Sequence, residues 1–447
     1  PMTARGEPRR ALSLAYSSSF FGGIFSVICL MLFAPVLAKV APLFGSREIF
    51  LAALLGIILV IVAHRGQSLI AGALAGFGIF IQTIGLEPVK YSKRFTFDQA
   101  FLSSGIDLIV VVLGLFALSQ AFVLLTSDDE KIRTTRLRGG LFQGFRELMR
   151  HPRVAGVSAS FGVLMGMIPG VGEFTAQFLS YTYAQKTSKR PQDFGHGSSE
   201  GLIAAETSNN AVPAAAMVPL LALGIPGEAL TAMMLSVFYV HNVVPGPGLF
   251  QNSMDFIMAL YMALLILNVL VVVFLLFATR PLIQVVKIPN RFLGICVLTL
   301  SFVGVYSLRN SATDCIIAAV FGMIGYVLKR LSLPSVPIIL GMVLGNIMEV
   351  KLRAGMARVK TPFDFIDRPV AMILFLIILA VLAIHFRNVW QDRKSLKEAE
   401  WQTKHRSTRF GALLFRRKSS LSRARGRKVK ARHSTSYRRS TDRNSPL

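Results

Sequence analysis

Two stretches carry the residues able to do chemistry: GMIPGVGEFTAQFLSY at 166–181 and EGLIAAETSNNAVPAAAMVPLLALGIPGEALTAMM at 200–234. In the first, Pro169-Gly170-Val171-Gly172 follows an apolar run. Proline fixes φ and glycine admits positive φ, so this tetrapeptide reads as a turn. A helix restarts through Glu173 and Thr175, with free N–H groups toward the turn. Leu223-Gly224-Ile225-Pro226-Gly227 repeats the arrangement ahead of Glu228 and Thr231. Helix N-termini attract carboxylates through unpaired N–H groups and the helix dipole. Two such turns face to face would hold a polycarboxylate with few fixed cations nearby.

Between the turns lies Glu206-Thr207-Ser208-Asn209-Asn210, a polar run in apolar surroundings. Its amides and hydroxyls suit solute oxygens, and its carbonyls suit a hard cation such as Na⁺. The candidate solute-binding residues are Pro169, Gly170, Gly172, Thr175, Thr207, Ser208, Asn209, Asn210, Gly224, Pro226, Gly227 and Thr231. The candidate ion ligands are Glu206, Asn209 and Asn210. Plainer readings exist: each turn also fits a membrane kink with close-packing glycines, and the polar run fits a satisfied helix cap.

The elements that position these residues are helices in lipid. Of 447 residues, 53% are hydrophobic and 16% charged, too few polar groups to wet a soluble protein of this length. The runs 17–37, 49–63, 69–84, 106–125, 257–278, 292–306, 315–328 and 370–385 are almost free of charge. Several reach the ~17–25 residues needed to span a bilayer. They are continuously apolar, which excludes the alternation of a membrane β-barrel. Within 156–250 the apolar sequence is broken by Gly, Pro, Asn and Ser, a pattern tolerated at membrane depth where interrupted helices line an enclosed cavity. The expected fold class is all-α: a polytopic membrane protein with discontinuous, re-entrant hairpin helices. Arg5, Arg9 and Arg10 precede the first run, and Val36-Leu37-Ala38 loosely resembles a cleavage site. The run is long for a signal peptide and further spans follow, so it is expected to stay as a span.

Charge is uneven. The net charge is +26, and residues 386–447 carry 19 Lys/Arg against 4 Asp/Glu. That tail is expected to be disordered, cytoplasmic by the positive-inside rule, and able to touch anionic lipid; nucleic acid is not expected as a partner. The loop 126–153 holds seven Lys/Arg and 349–369 holds five, so no clean alternation of sides emerges from counting along the chain. Cys29, Cys296 and Cys315 lie inside apolar runs and read as small buried hydrophobes. No HExxH occurs, nor His pairs at metal spacing, so no metal or organic cofactor is expected and no catalytic residue is assigned. An intramembrane enzyme remains the reading from another class.

Five pieces resemble the large membrane subunit of the tripartite tricarboxylate transporters, the TctA family. These are MIPGVG at 167–172, FGHGSSEGLIAAETSNNA at 194–211, VPLLALGIPGEALTAM at 218–233, VPGPGLF at 244–250 and KRFTFDQAFLSSGIDLIVVVLGLFALSQ at 93–120. Ala205 stands where that family tends to have Pro. The resemblance spans roughly residues 1–385. It implies a secondary carrier in the bacterial inner membrane, coupled to Na⁺ or H⁺. A small membrane subunit and a periplasmic solute-binding protein delivering citrate or a related carboxylate would be its partners. It also implies inverted repeats, each with a PGxG and an IPG turn. Only one such pair occurs here, and the first residues resemble the end of a first repeat. The expected layout is therefore transmembrane helices following a missing first repeat over 1–125, a charged loop over 126–153, the second-repeat carrier region with its PGxG and IPG hairpins over 154–385 and the basic tail over 386–447. A chain lacking the first pair is expected to insert but, by itself, not to transport; a truncated, non-transporting remnant is the alternative this leaves.

Overall fold

The structure is a computed structural model and describes residues 2, 7–64, 66–87, 91–127, 143–285, 288–357, 359 and 361–391. Most of the basic tail and much of the 126–153 loop lie outside the described residues. By its internal contacts the chain divides into two units, Pro1–Leu379 and Ala380–Leu447.

The chain is an all-helical polytopic membrane protein. Seven helices are long and apolar enough to cross a bilayer among the described residues. They are α1 (Pro8–Val40), α2 (Ser46–Ala63), α4 (Leu108–Thr126), α10 (Met254–Val285), α11 (Asn290–Arg309), α12 (Ala312–Arg330) and α14 (Pro369–Gln391). Further helices are shorter or more polar, among them α3 (Ser68–Gln82), α5 (Gln143–Leu148), α6 (Pro152–Met167), α7 (Gly172–Thr187), α8 (Ser199–Leu223), α9 (Ala229–Val240) and α13 (Val336–Met356). Each of the eight apolar runs falls largely within a helix. The helix α13 is an element that the runs do not show, because Pro337, Gly341, Gly345 and Asn346 interrupt its sequence; Pro337–Gly345 are nevertheless buried. A two-stranded antiparallel ribbon, Gly85–Leu86 (β1) with Lys93–Arg94 (β2), follows α3.

Small residues set how closely the helices approach. Lipid is as apolar as leucine, so helices in a bilayer associate through packing and backbone proximity. Gly22 of α1 lies against the Thr207 backbone, Gly162 and Gly166 of α6 against Ser208 and Val212, and Gly78 of α3 against the Ile338 carbonyl. These contacts stack α1, α6 and α8 in one group and α3 with α13 in another. At the start of α1, Arg10 Nε donates to Glu147 Oε2 at 2.9 Å, and Ser199 Oγ donates to Glu147 Oε1 at 2.6 Å. The Arg10 guanidinium holds the Glu147 carboxyl below the usual carboxylate range.

Successive crossings alternate in direction. The starts of α1, α6 and α8 therefore share one end of the first unit with the ends of α4, α7 and α12. Cross-links agree: Tyr16 with Thr279, Gln67 with the Ser332 carbonyl, and Arg330 with Thr126. Among the described residues this end is basic, with Arg9, Arg10, Arg146, Arg150, Arg153, Lys186, Lys189, Arg190, Lys329 and Arg330 against Glu7, Glu147, Asp193 and Glu200. At the other end acids answer the cations. Arg94 pairs with Glu349 at 2.7 Å, Arg353 with Glu87 at 2.8 Å and Arg47 with Asp367 at 2.7 Å. An asymmetry of charge thus exists, hidden in the sequence because ion pairing is not visible there.

The glycine contacts are separable by mutation. Gly78→Val and Gly22→Val should each destabilise the purified chain by about 1–3 kcal/mol, as overpacking does. Gly76→Val, two residues away with open space around it, should melt within a degree or two of wild type. Thermal melting in detergent reads the difference; equal melting of Gly76→Val and Gly78→Val would refute the packing assignment.

Candidate functional site

The two turns meet. The helices α6 and α7 form a hairpin whose tip is the 168–171 turn, and the Gly170 N–H donates to the Gly227 carbonyl at 2.7 Å. Gly170 has φ +85°, and a Cβ there would stand 2.6 Å from the Gly56 carbonyl oxygen of α2. Gly172 (φ +68°) and Gly224 (φ +72°) also need the left-handed region. Gly227 differs: its φ is not positive, and an added Cβ would make ordinary contacts at 3.5 Å or more. Its contribution is the carbonyl.

The ends of α8 and α9 are closed locally. Gly224 N–H returns to Leu220 O at 2.9 Å and Ile225 N–H to Pro219 O at 3.3 Å, an αL closure of α8 at Gly224. Gly246, in the Val244–Gly248 loop, adds an N–H to Leu221 O at 2.9 Å. Thr231 Oγ1 accepts from the Gly227 and Glu228 amides at 3.1 and 3.0 Å and donates to Glu228 O. Thr231 therefore spends its hydroxyl on fastening the turn. Pro226 is buried beneath it, and Pro169 and Thr175 are half-buried at the tip and in the first turn of α7.

The polar run of α8 divides among three neighbours. Asn210 Nδ2 donates to Ser19 Oγ of α1 at 2.8 Å and to Glu206 O at 2.9 Å, while Ser19 Oγ lies 3.4 Å from Glu206 Oε2. Asn209 Oδ1 accepts from Gln177 Nε2 of α7. Thr207 and Ser208 are fully buried in the α1 and α6 contacts. Their side chains face helix packing and not open space. Pro213 lies inside α8 and has no N–H to return to the carbonyl four residues back, that of Asn209. The Asn209 main-chain oxygen is thereby left to other partners.

Depth separates the two sets. Ala216 Cβ is 3.8 Å from where a Gly227 Cβ would lie, so the crossing is level with Ala216. Asn210 stands six residues earlier, roughly 9 Å along the helix. Two acids flank the crossing itself: Glu173 in the first turn of α7, and Glu228 at the start of α9, whose side chain accepts from the Thr231 N–H in a capping box while its Oε1 is buried without a hydrogen bond among the described residues. Ser19, Gln177, Glu173 and Glu228 complete the site, although the sequence reading named none of them as ligands. Only the acids had a visible signal, each directly following a Gly-rich turn. No cluster of His, Cys, Asp and Glu suited to a metal occurs among the described residues.

Fold and site together define a polytopic helical membrane protein with interrupted helices meeting inside the bilayer. The chain belongs to the TctA family of tripartite tricarboxylate transporters, whose family model matches residues 1–340. It is 29% identical over 384 residues to an uncharacterized 52.8 kDa protein in the TAR-I ttuC' 3' region of Agrobacterium vitis, covering 86% of this chain and 76% of that protein. It is 34% identical over 195 residues to a protein in the TAR-II ttuC' 3' region of the same organism, covering 44% of this chain and 81% of that protein. No solved structure matches.

The crossing makes an ordered set of expectations. Gly170→Ala should destabilise strongly. Thr231→Val, which leaves two turn amides without their acceptor, should cost about 1–3 kcal/mol. Thr231→Ser and Gly227→Ala should melt near wild type. A stable Thr231→Val variant in a thermal melt would show that the turn holds without this hydroxyl.

Proposed function

We propose that this chain is the membrane subunit of a secondary, ion-gradient-driven uptake system for citrate, another tricarboxylate or a related carboxylate. It works in the inner (plasma) membrane of a bacterium with a small membrane subunit and a periplasmic solute-binding protein. The observation that carries this reading is the Gly170–Gly227 bond. It brings the N-terminal ends of α7 and α9 to one place, and helix N-termini at membrane depth favour the carboxylates of a solute. The two positive ends converge beside Glu173 and Glu228, whose charges oppose an anion. A proton or Na⁺ that neutralises these acids makes anion binding favourable, which ties solute to coupling ion. Glu206, the Asn209 carbonyl and Asn210 form a second station with oxygen ligands suited to Na⁺. The positive-inside rule supports assigning the basic end of the first unit, and the Lys/Arg-rich sequence from 386, to the cytoplasm.

The test is uptake of labelled citrate into proteoliposomes holding the chain with its two partner subunits under an imposed Na⁺ or H⁺ gradient. Asn209→Ala and Asn210→Ala should insert normally, and each should weaken apparent affinity for solute or ion roughly five- to hundredfold, the worth of ~1–3 kcal/mol. Full-affinity uptake by the double variant would remove the polar run from the site.

A further inference from the structure

The basic end of the first unit contains a cleft of about 1300 Å³, far from the turn crossing, that the proposed transport site does not use. It lies where the start of α6, the end of α7 and the start of α8 come together. Its floor is the Arg10–Glu147–Ser199 cluster, whose charges are mutually satisfied. His151 lies 3.4 Å from Glu200. Arg150, Arg153, Lys189 and Arg190 line the walls, and none of them has an ion-pair partner among the described residues. Asp193 is the acid left over. The N-terminal ends of α6 (16 residues) and α8 (25 residues) open on the same space and add to its positive potential.

The cleft continues into an apolar surface that faces lipid. Val157, Ser160 and Tyr183 form its membrane-side wall. From there Leu164 (51% exposed) continues the same face of α6, and Leu179 (37% exposed) continues the face of α7 below Tyr183. Phe161 packs on Tyr183 with ring centroids 5.7 Å apart and joins the two faces. A free anion would have no use for this stripe. A molecule with a multiply charged head and hydrocarbon tails would use both parts.

We propose that this cleft binds the headgroup of an anionic phospholipid carrying two phosphates, with its acyl chains along the exposed face of the α6–α7 hairpin. Four unpaired cations and this volume exceed what one phosphate needs. The hairpin carries the Pro169–Gly172 turn at its other end, so a lipid seated here grips the base of the element that forms the crossing.

The test uses the full chain purified in neutral detergent, titrated with cardiolipin and read by native mass spectrometry. Wild type should hold cardiolipin in preference to zwitterionic phosphatidylethanolamine. Arg150→Gln with Arg190→Gln should weaken cardiolipin binding at least about tenfold, as expected for two cations at a lipid surface. Arg150→Lys with Arg190→Lys should retain it, and Lys39→Gln, at the opposite end, should leave it unchanged. Leu164→Ser with Leu179→Ser should weaken cardiolipin several-fold while leaving the cations in place. Equal binding by the Gln pair, or failure of a folded Lys pair to bind, would overturn the site. Inorganic phosphate and citrate separate the sources: displacement of cardiolipin by either, with no loss in the serine pair, would make this a site for free oxyanions and overturn the lipid assignment.

Discussion

A helix that stops inside a bilayer leaves amides and carbonyls with no water to answer them, and each unanswered group costs several kcal/mol. Everything unusual in this protein follows from how that constraint is met. The α6–α7 tip and the α8–α9 turn each interrupt a helix, and they answer each other through the Gly170 N–H and the Gly227 carbonyl. Nearby groups close others: the αL closure at Gly224, the Ile225 amide on Pro219, the Gly246 amide on Leu221, and the Thr231 hydroxyl on two turn amides. At the start of α9 the Glu228 side chain and the Thr231 hydroxyl close a capping box, while the start of α7 has no side-chain cap among the described residues, and there the proposed solute would approach.

Bringing two turns into bonding distance requires the supporting helices to approach more closely than large side chains permit. Glycines at the contacts supply that closeness. Gly56 of α2 lies under Pro169, Gly162 and Gly166 of α6 lie on α8, and Gly22 of α1 lies on the Thr207 backbone. Because lipid removes the hydrophobic incentive for helix association, these contacts rest on dispersion between closely apposed backbones. The same apposition buries Thr207 and Ser208, which explains why half of the polar run faces packing and the other half, Asn209 and Asn210, faces partners on α7 and α1.

The spanning helices were legible because continuous apolar length is a one-dimensional property; runs such as 257–278 and 370–385 carry it without reference to a neighbour. The turns were legible for a related reason, since Pro-Gly-Val-Gly and Ile-Pro-Gly state their backbone conformation locally. What could not be read was partnership. Gly76 and Gly78 look alike in the sequence, yet only Gly78 meets a backbone carbonyl. Gly227 looks like its neighbours at 170, 172 and 224 but has no positive φ. Ser19 is one serine among several in α1, and its bond to Asn210 spans 191 positions. The helix α13 was hidden because its glycines, which read as interruptions, are the surface on which α3 packs.

The spacing along α8 gives the proposed coupling a physical basis. In the proposed coupling the anion would sit at helix ends level with Ala216 and the cation at Asn210, Asn209 and Glu206, from roughly 9 to roughly 15 Å away along the same helix. Opposite unit charges at those separations attract by about 1–2 kcal/mol at an effective dielectric constant near 20. An ion at one proposed station would then improve binding at the other by a factor on the order of five to twenty, and linkage makes such an effect reciprocal. Glu173 and Glu228 sharpen the dependence. An anion entering beside two carboxylates meets repulsion until a cation or proton removes it, so solute alone is excluded more strongly than solute with its ion. Pro213 lies within the helix and, lacking an N–H, cannot return a bond to the Asn209 carbonyl, which belongs to the proposed ion station. A proline-free α8 would span the same distance and hold the same side chains with that carbonyl committed to the helix.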